Sequence, residues 1–219
     1  MIKFEDIKNS REITTYIKKA DEALKALGYT EHSLAHVTKV ANHAKEILTV
    51  LKYDERTAEL AQIAGFMHDI GNVVNRVDHA QSGAIMAFRI LDKMGMDVEE
   101  IATIISAIGN HDEQTAVPVN AVAAALILAD KSDVRRSRVR NLDLGTFDIH
   151  DRVNYSVLSS NMIIDPVKKS AILHLQIDTE LFTIMDYFEI FLQRMLLCRR
   201  ASESLGCKFK LVINDVELL

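Results

Sequence analysis

Several things are scarce in this chain of 219 residues. It has two cysteines, Cys198 and Cys207, too few for a disulfide framework and remote from the histidine-rich region, so both are expected as reduced structural thiols. It has no uninterrupted apolar run long enough to span a bilayer, and its opening stretch, MIKFEDIKNSREITTY, lacks the apolar core of a signal peptide. A cytoplasmic protein with no membrane segment is the expectation. Positive charge is in deficit: a formal net charge of -5 argues against general nucleic-acid affinity, although one basic knot, KSDVRRSRVR at 131–140, runs against it. Internal repeats and low-complexity segments are absent. What remains, 48% apolar and 26% charged, is the balance of a folded globular protein, at a length that suits one domain or one domain with a small appendage.

Up to about residue 140 the apolar spacing is helical, and Gly28, Gly71, Gly95, Gly109 and Pro118 fall where helices should end. The pattern predicts helices over 11–27, 31–52, 55–70, 79–94, 97–108 and 119–137, with Thr30, Asp54 and Asp97 as N-caps. After about 150 the texture changes. VNYSVLSSNMIID and KKSAILHLQID are β-rich and separated by Pro-Val, so they should pair as a hairpin. A long amphipathic helix at 179–204 follows, stopped by Gly206, and CKFKLVIND alternates like a last strand. The tail is therefore ββαβ in character on an all-helical body.

Chemistry-bearing residues cluster at predicted helix ends. His36 lies near the buried stripe of the second predicted helix, His68 and Asp69 close the third, and His79 opens the fourth. His111 follows the break at Gly109-Asn110. Asp130 ends AVAAALILAD, an apolar helix of the kind buried on all sides, where a carboxylate is costly unless paired or metal-bound. Any one of these histidines alone reads more readily as a hydrogen-bonded core or surface residue. Together, four imidazoles and two carboxylates on five segments suit a nitrogen- and oxygen-lined site for iron, manganese, cobalt, nickel or zinc; magnesium would prefer more oxygen. His32 and His43 read as supporting or structural groups, His150 and His174 as ordinary polar ones.

His36 in HVTKVANHA, His68-Asp69 in HDIGN, His79 in HAQSGA, His111 in NHDE and Asp130 in ILADKSD resemble the ordered H…HD…H…H…D signature of the HD-domain superfamily of metal-dependent phosphohydrolases, over roughly residues 30–140. The resemblance implies a mainly α fold: an HD-type helical bundle at 1–145, followed by the small α+β (ββαβ) appendage at 146–219. It implies a metal core of His36, His68, Asp69 and Asp130. His79 and His111 mark branches with a second ion bridged by the aspartate of the pair, iron or manganese being favoured. Two features depart from the family. Many members continue the pair as HDIGK, whose lysine can meet substrate phosphate, where this chain has Asn72, and the tyrosine-proline signature of the cyclic-dinucleotide branch is missing. Lys131, Arg76, Arg135 and Arg136 are then the candidate phosphate-binding residues, the last two reading equally well as a solvated helix end favoured by the helix dipole. Beside the bridging Asp69, an acidic group among Asp112, Glu113 and Asp133 is expected to orient or deprotonate water. The expected activity is hydrolysis of a small phosphate ester or nucleotide, with no nucleic-acid or membrane partner. Two other readings use the same ligands: a mixed-valent di-iron oxygenase, and a metal-stabilised regulatory or ligand-sensing module. The apolar face LFTIMDYFEIFLQRMLL at 181–197 is too small to form a core alone and must pack on the body, on a second copy, or on both, with a homodimer favoured.

Overall fold

The computed structural model of the chain describes residues 1–141, 143–147, 149–180 and 183–218, the side chains of Leu144, Ile149 and His150 excepted. The expectations for His150 and for Leu181-Phe182 at the start of the last predicted helix therefore lie outside the described residues. The body comprises α1 (Phe4–Lys8), α2 (Arg11–Ala26), α3 (Leu34–Val50), α4 (Glu55–Met67), α5 (His79–Lys93), α6 (Val98–Gly109) and α7 (Ala121–Lys131). The tail comprises α8 (Ile149–Ser156), β1 (Val157–Asp165), β2 (Ser170–Ile177), α9 (Ile184–Ser204), β3 (Lys208–Ile213) and β4 (Val216–Glu217). A four-stranded sheet runs in the order β1-β2-β3-β4. The hairpin β1/β2 is antiparallel, β2 and β3 are parallel across the α9 connection, and β4 returns antiparallel on β3. The chain is thus mainly helical with a small C-terminal sheet. No helix among the described residues is long and apolar enough to cross a membrane.

Helix α7 is the axis of the body. Every residue from Val122 to Ala129 is buried, so it offers no polar face, and α3, α4, α6 and α9 pack around it. Such a helix gains stability from apolar burial on all sides, on the order of 2 kcal/mol per fully buried large aliphatic side chain. The core is continuous from Phe4 to Ile213, because α9 lays Tyr187, Phe191, Met195 and Cys198 in it. Both cysteines are free and buried.

Differences from the sequence reading have local causes. Helix α3 starts three residues late because Ser33, not Thr30, accepts the Ala35 amide and caps it. Helix α7 stops at Lys131 rather than 137: Ser132 turns its hydroxyl to the Ala129 carbonyl, and the arginine-rich stretch folds back as a short 3-10 turn at Arg136–Arg138. The segment VNYS, read as strand, completes α8 instead, so β1 begins at Val157. Two short elements, α1 and β4, had no sequence signal.

Two close approaches seat the elements that carry the histidine-rich stretch. Gly65 lets α4 lie against the backbone of α3, where an added Cβ would stand 2.8 Å from the Ala41 Cα. Gly71, in the 3-10 turn Ile70–Val73, meets the first turn of α5; a Cβ there would overlap the His79 carbonyl oxygen and reach 2.5 Å from the Gly83 nitrogen. Replacing Gly71 with alanine must push α5 away, an overpacking cost of about 1–3 kcal/mol or more. Gly95 has a φ of +79° with open space around it, so Gly95→Ala carries only backbone strain of roughly 1 kcal/mol. Thermal melts are expected to place Gly71→Ala below Gly95→Ala, and the reverse order would contradict the close approach.

Candidate metal centre

Six side chains converge where five elements end or begin. His36 projects from the first turn of α3, His68 and Asp69 leave the end of α4, His79 is the first residue of α5, His111 follows the cap of α6, and Asp130 is in the last turn of α7. His36, His68, Asp69, His79 and His111 are all buried. The Asp69 carboxylate is central and its two oxygens face different ways. Oδ2 stands 3.2 Å from His68 Nε2 and 3.7 Å from His36 Nε2, while Oδ1 stands 3.6 Å from His79 Nε2 and 4.0 Å from His111 Nε2. Asp130 Oδ1 completes the first side, 3.4 Å from His36 Nε2 and 3.6 Å from His68 Nε2. Two overlapping trios, His36/His68/Asp130 and His68/Asp69/His111, each bring their donor atoms within 4.8 Å of one another.

The outer nitrogen of each ring is already used. Nδ1 pairs with an Asp133 oxygen at 2.8 Å in His36 and with the backbone carbonyls of Gly65 (2.8 Å), Arg76 (3.1 Å) and Ile108 (2.6 Å) in His68, His79 and His111. An imidazole that donates from Nδ1 keeps its lone pair on Nε2, which here points inward in all four. His36 Nε2, His68 Nε2 and Asp69 Oδ2 are buried without a hydrogen-bond partner. His79 and His111 face each other through Nε2 at 3.2 Å, a contact between two lone pairs, with Arg76 Nη1 also 3.2 Å from His79. Burial of unpaired donors and acceptors costs about 1–3 kcal/mol each, so the centre is built for a positive charge at its middle. Titration carries the same sign. Burial would lower the His68 imidazole, but Asp69 and Asp130 overcome it and push the group up to about 10. Burial would raise Asp69 and Asp130; His68 beside the first, and Lys131, His36 and His68 around the second, hold both carboxyls well below the usual range. Burial, together with nearby cations, keeps His111 and His79 below the ordinary imidazole value. Nitrogen and carboxylate donors in this arrangement fit one or two divalent transition ions.

A cavity of about 330 Å³ opens from the centre. Of the expected phosphate-binding residues, Lys131 and Arg76 line it, with Lys131 Nζ 2.7 Å from Asp130 Oδ2. Arg135 and Arg136 are not among its lining residues. Arg135 is held by Asp133 and Ser137, and Arg136 lies over the Tyr155 ring, bonded to that residue's carbonyl and to Asp178. The acidic candidates divide too. Asp112 and Glu113 border the cavity, Glu113 accepting from Arg194 Nε at 2.6 Å. Asp133 is buried on the far side of the His36 ring, where Lys39, Arg135 and Arg138 surround it. Its carboxylate holds His36 in orientation and does not face the cavity wall.

The sequence reading missed Arg138 and Arg194, which line the cavity, and assigned His32 only a supporting place though it lines the cavity as well. Arg194 had a signal: it interrupts the apolar stripe Tyr187, Phe191, Met195, Cys198 of α9. Arg138 had none, since its place depends on a bond to the Glu31 carbonyl, 107 positions away, beside a local one to the Asp133 carbonyl. His43 is structural, its Nε2 bonded to the Met162 carbonyl of β1.

The chain is 27% identical over 173 residues to an uncharacterised protein of the archaeon Methanocaldococcus jannaschii, a match covering 68% of this chain and 66%, just under two thirds, of that protein. A crystal structure described as a predicted HD superfamily hydrolase, from an uncultured Thermotogales bacterium, is 30% identical and covers 60% of this chain and 72% of its own, at a TM-score of 0.47. The profile of the HD domain matches residues 31–152, more than half of the chain, and takes in every one of the six converging side chains. The chain belongs to the HD-domain family.

Proposed function

We propose that the protein is a metal-dependent phosphohydrolase acting on a small phosphate ester or nucleotide, with two divalent ions bridged by Asp69. The observation that carries the reading is the split of the Asp69 carboxylate between two sets of inward lone pairs, beside a cavity whose wall sets four cations among five carboxylates. Iron or manganese suits the mixed nitrogen and carboxylate donors best, and zinc, cobalt or nickel fits the same set. The first ion falls to His36, His68, Asp69 and Asp130, the second to His79, His111 and the shared Asp69. When bound, such ions supply Lewis-acid charge that acidifies water and offsets the charge on phosphoryl oxygens.

The protein's own groups do the rest. The cavity wall carries five carboxylates, Asp69, Asp112, Glu113, Asp130 and Asp151, against four fixed cations, Arg76, Lys131, Arg138 and Arg194. It becomes attractive to an anion only once divalent charge is added, which couples substrate binding to metal binding. Lys131, held against Asp130, is the cation nearest the ligands and is placed to meet a phosphoryl oxygen. Asp112 borders the cavity next to His111, and of the acidic candidates it is the one we assign to take the proton of the attacking water. Glu113 orients Arg194. The cytoplasm is the compartment that fits this reading.

His36→Ala, His68→Ala, Asp69→Ala and Asp130→Ala are each expected to remove most bound metal by elemental analysis, and His79→Ala or His111→Ala to lower it from two ions per chain toward one. Full occupancy in the first four variants would overturn the ligand set, and a single ion in saturated wild type would overturn the pair. Asp133→Asn keeps the size of the group that holds His36 but weakens its grip. A fall of about 10–100-fold in metal affinity, measured by competition with a chelator, is expected; unchanged affinity would make Asp133 merely structural. For the reaction, protein loaded with manganese or iron should release phosphate from members of a panel of phosphate esters and nucleotides. Substrate-dependent oxygen uptake with a mixed-valent iron spectrum would instead establish the oxygenase, and a full metal complement with no turnover on either assay would establish the sensing module.

A further inference from the structure

The face that α9 turns to the body is apolar at Tyr187, Phe191, Met195 and Cys198, and an arginine stands among them. A guanidinium in an apolar stripe costs stability unless something claims it. Arg194 has one partner for part of its fork: Nε donates to Glu113 Oε1 at 2.6 Å, and the plane lies 4.1 Å over the Phe191 ring. Nη1 and Nη2 make no hydrogen bond among the described residues, and Arg194 lines the cavity. Arg56, away from the cavity, shows a filled fork for contrast: it gives both Nε and Nη2 to the two oxygens of Glu100 and Nη1 to Glu59. Half-filled and held rigid from below, the Arg194 fork is arranged to receive a ligand.

Its place relative to the ligands fixes what it would receive. Lys131 Nζ lies 2.7 Å from Asp130 Oδ2 and 4.0 Å from Glu113 Oε1, and the same Glu113 oxygen accepts from Arg194 Nε at 2.6 Å. Lys131 therefore touches the donor set directly, while Arg194 is joined to it through Glu113. We propose that Arg194 anchors a second, non-reacting anionic group of the substrate, so that the site selects small phosphate compounds carrying two anionic groups. The proposal rests on the phosphohydrolase reading and places its specificity on α9, beyond the segment matched by the HD domain. A cavity of about 330 Å³ has room for such a molecule, whereas a lone phosphate would leave most of it to water.

The test is calorimetric titration of manganese-loaded full-length protein with 3-phosphonopropionate and with propylphosphonate, which lacks the carboxylate. Wild type should bind the first about tenfold tighter, the scale of a charge-assisted fork. Arg194→Leu should bring the two within about twofold of each other, weakening 3-phosphonopropionate far more than propylphosphonate, with metal content unchanged. Arg194→Lys, which keeps the charge and loses the fork, should retain an intermediate preference and covers the case in which the leucine variant misfolds. A wild type that binds both phosphonates alike, or an Arg194→Leu protein that weakens both equally, overturns the anchor and leaves the phosphohydrolase reading standing. Binding of neither phosphonate by loaded wild type would sink both.

Discussion

Everything around the centre answers to one buried carboxylate. Asp69 has no solvent to neutralise it, and an isolated ionised carboxyl in an apolar interior costs several kcal/mol even after relaxation. Four imidazoles with inward lone pairs do not relieve that cost; unless protonated they add to it. The structure accepts this concentration of negative potential because a continuous core around α7 holds the surrounding helices in place, and because the close approaches at Gly65 and Gly71 seat α4 against α3 and α5 against the turn after α4. The helix ends matter for the same reason. A carbonyl at the end of a helix has no partner within it, and those of Gly65 and Ile108 are spent on the Nδ1 atoms of His68 and His111, so the backbone itself fixes the tautomers.

That arrangement explains why the tail is not a passive attachment. Helix α9 covers α7 over the turn that bears Asp130, and it brings Phe191 and Arg194 to the cavity wall. Without it, Glu113 would keep only the distant Lys131 as a cationic neighbour in the structure. Asp151 and Asn154 of α8 also reach the wall. The six converging side chains come from the helical body, while Asp151, Asn154, Ile190, Phe191 and Arg194 of the cavity wall come from beyond residue 145. One core thus carries the candidate ligands and part of the cavity wall on different segments.

How much was legible follows from how local each cause is. His36, His68, Asp69, His79, His111 and Asp130 sit in short strings with helical context, and the reason they converge, a buried helix ending in a carboxylate and a glycine after the pair, is written beside them. Most helix limits were readable from caps and glycines, as at Asp54 and Asp97. The end of α7 was not, because no glycine or proline interrupts Lys131 to Arg140; the Ser132 hydroxyl turns to the Ala129 carbonyl there, and Arg138 then reaches the Glu31 carbonyl 107 positions away. Arg135 and Arg136 are kept from the cavity by partners of their own, Asp133 and Ser137 for the first, Tyr155 and Asp178 for the second. Arg194 was visible as an anomaly in an apolar stripe, but which charge it met depended on a contact across 81 positions of sequence.

Asn72 shows how a local departure is absorbed. Where the family pattern often carries a lysine, this side chain donates from Nδ2 to Asp69 Oδ1 at 2.8 Å and to the Asp69 carbonyl at 3.0 Å, clamping the central carboxylate instead of reaching into the cavity. Its own oxygen faces Arg76 Nη1 at 3.3 Å. A positive charge thus stands near the place the lysine would have supplied, delivered from four residues farther along and braced by the amide. The exchange changes the chemistry of the position. A flexible ammonium is replaced by a planar fork, which pairs two oxygens at once and cannot lose its proton. Arg76 and Arg194 thus give the cavity lining two planar forks, whose geometry as well as charge matches the paired oxygens of a phosphate or carboxylate.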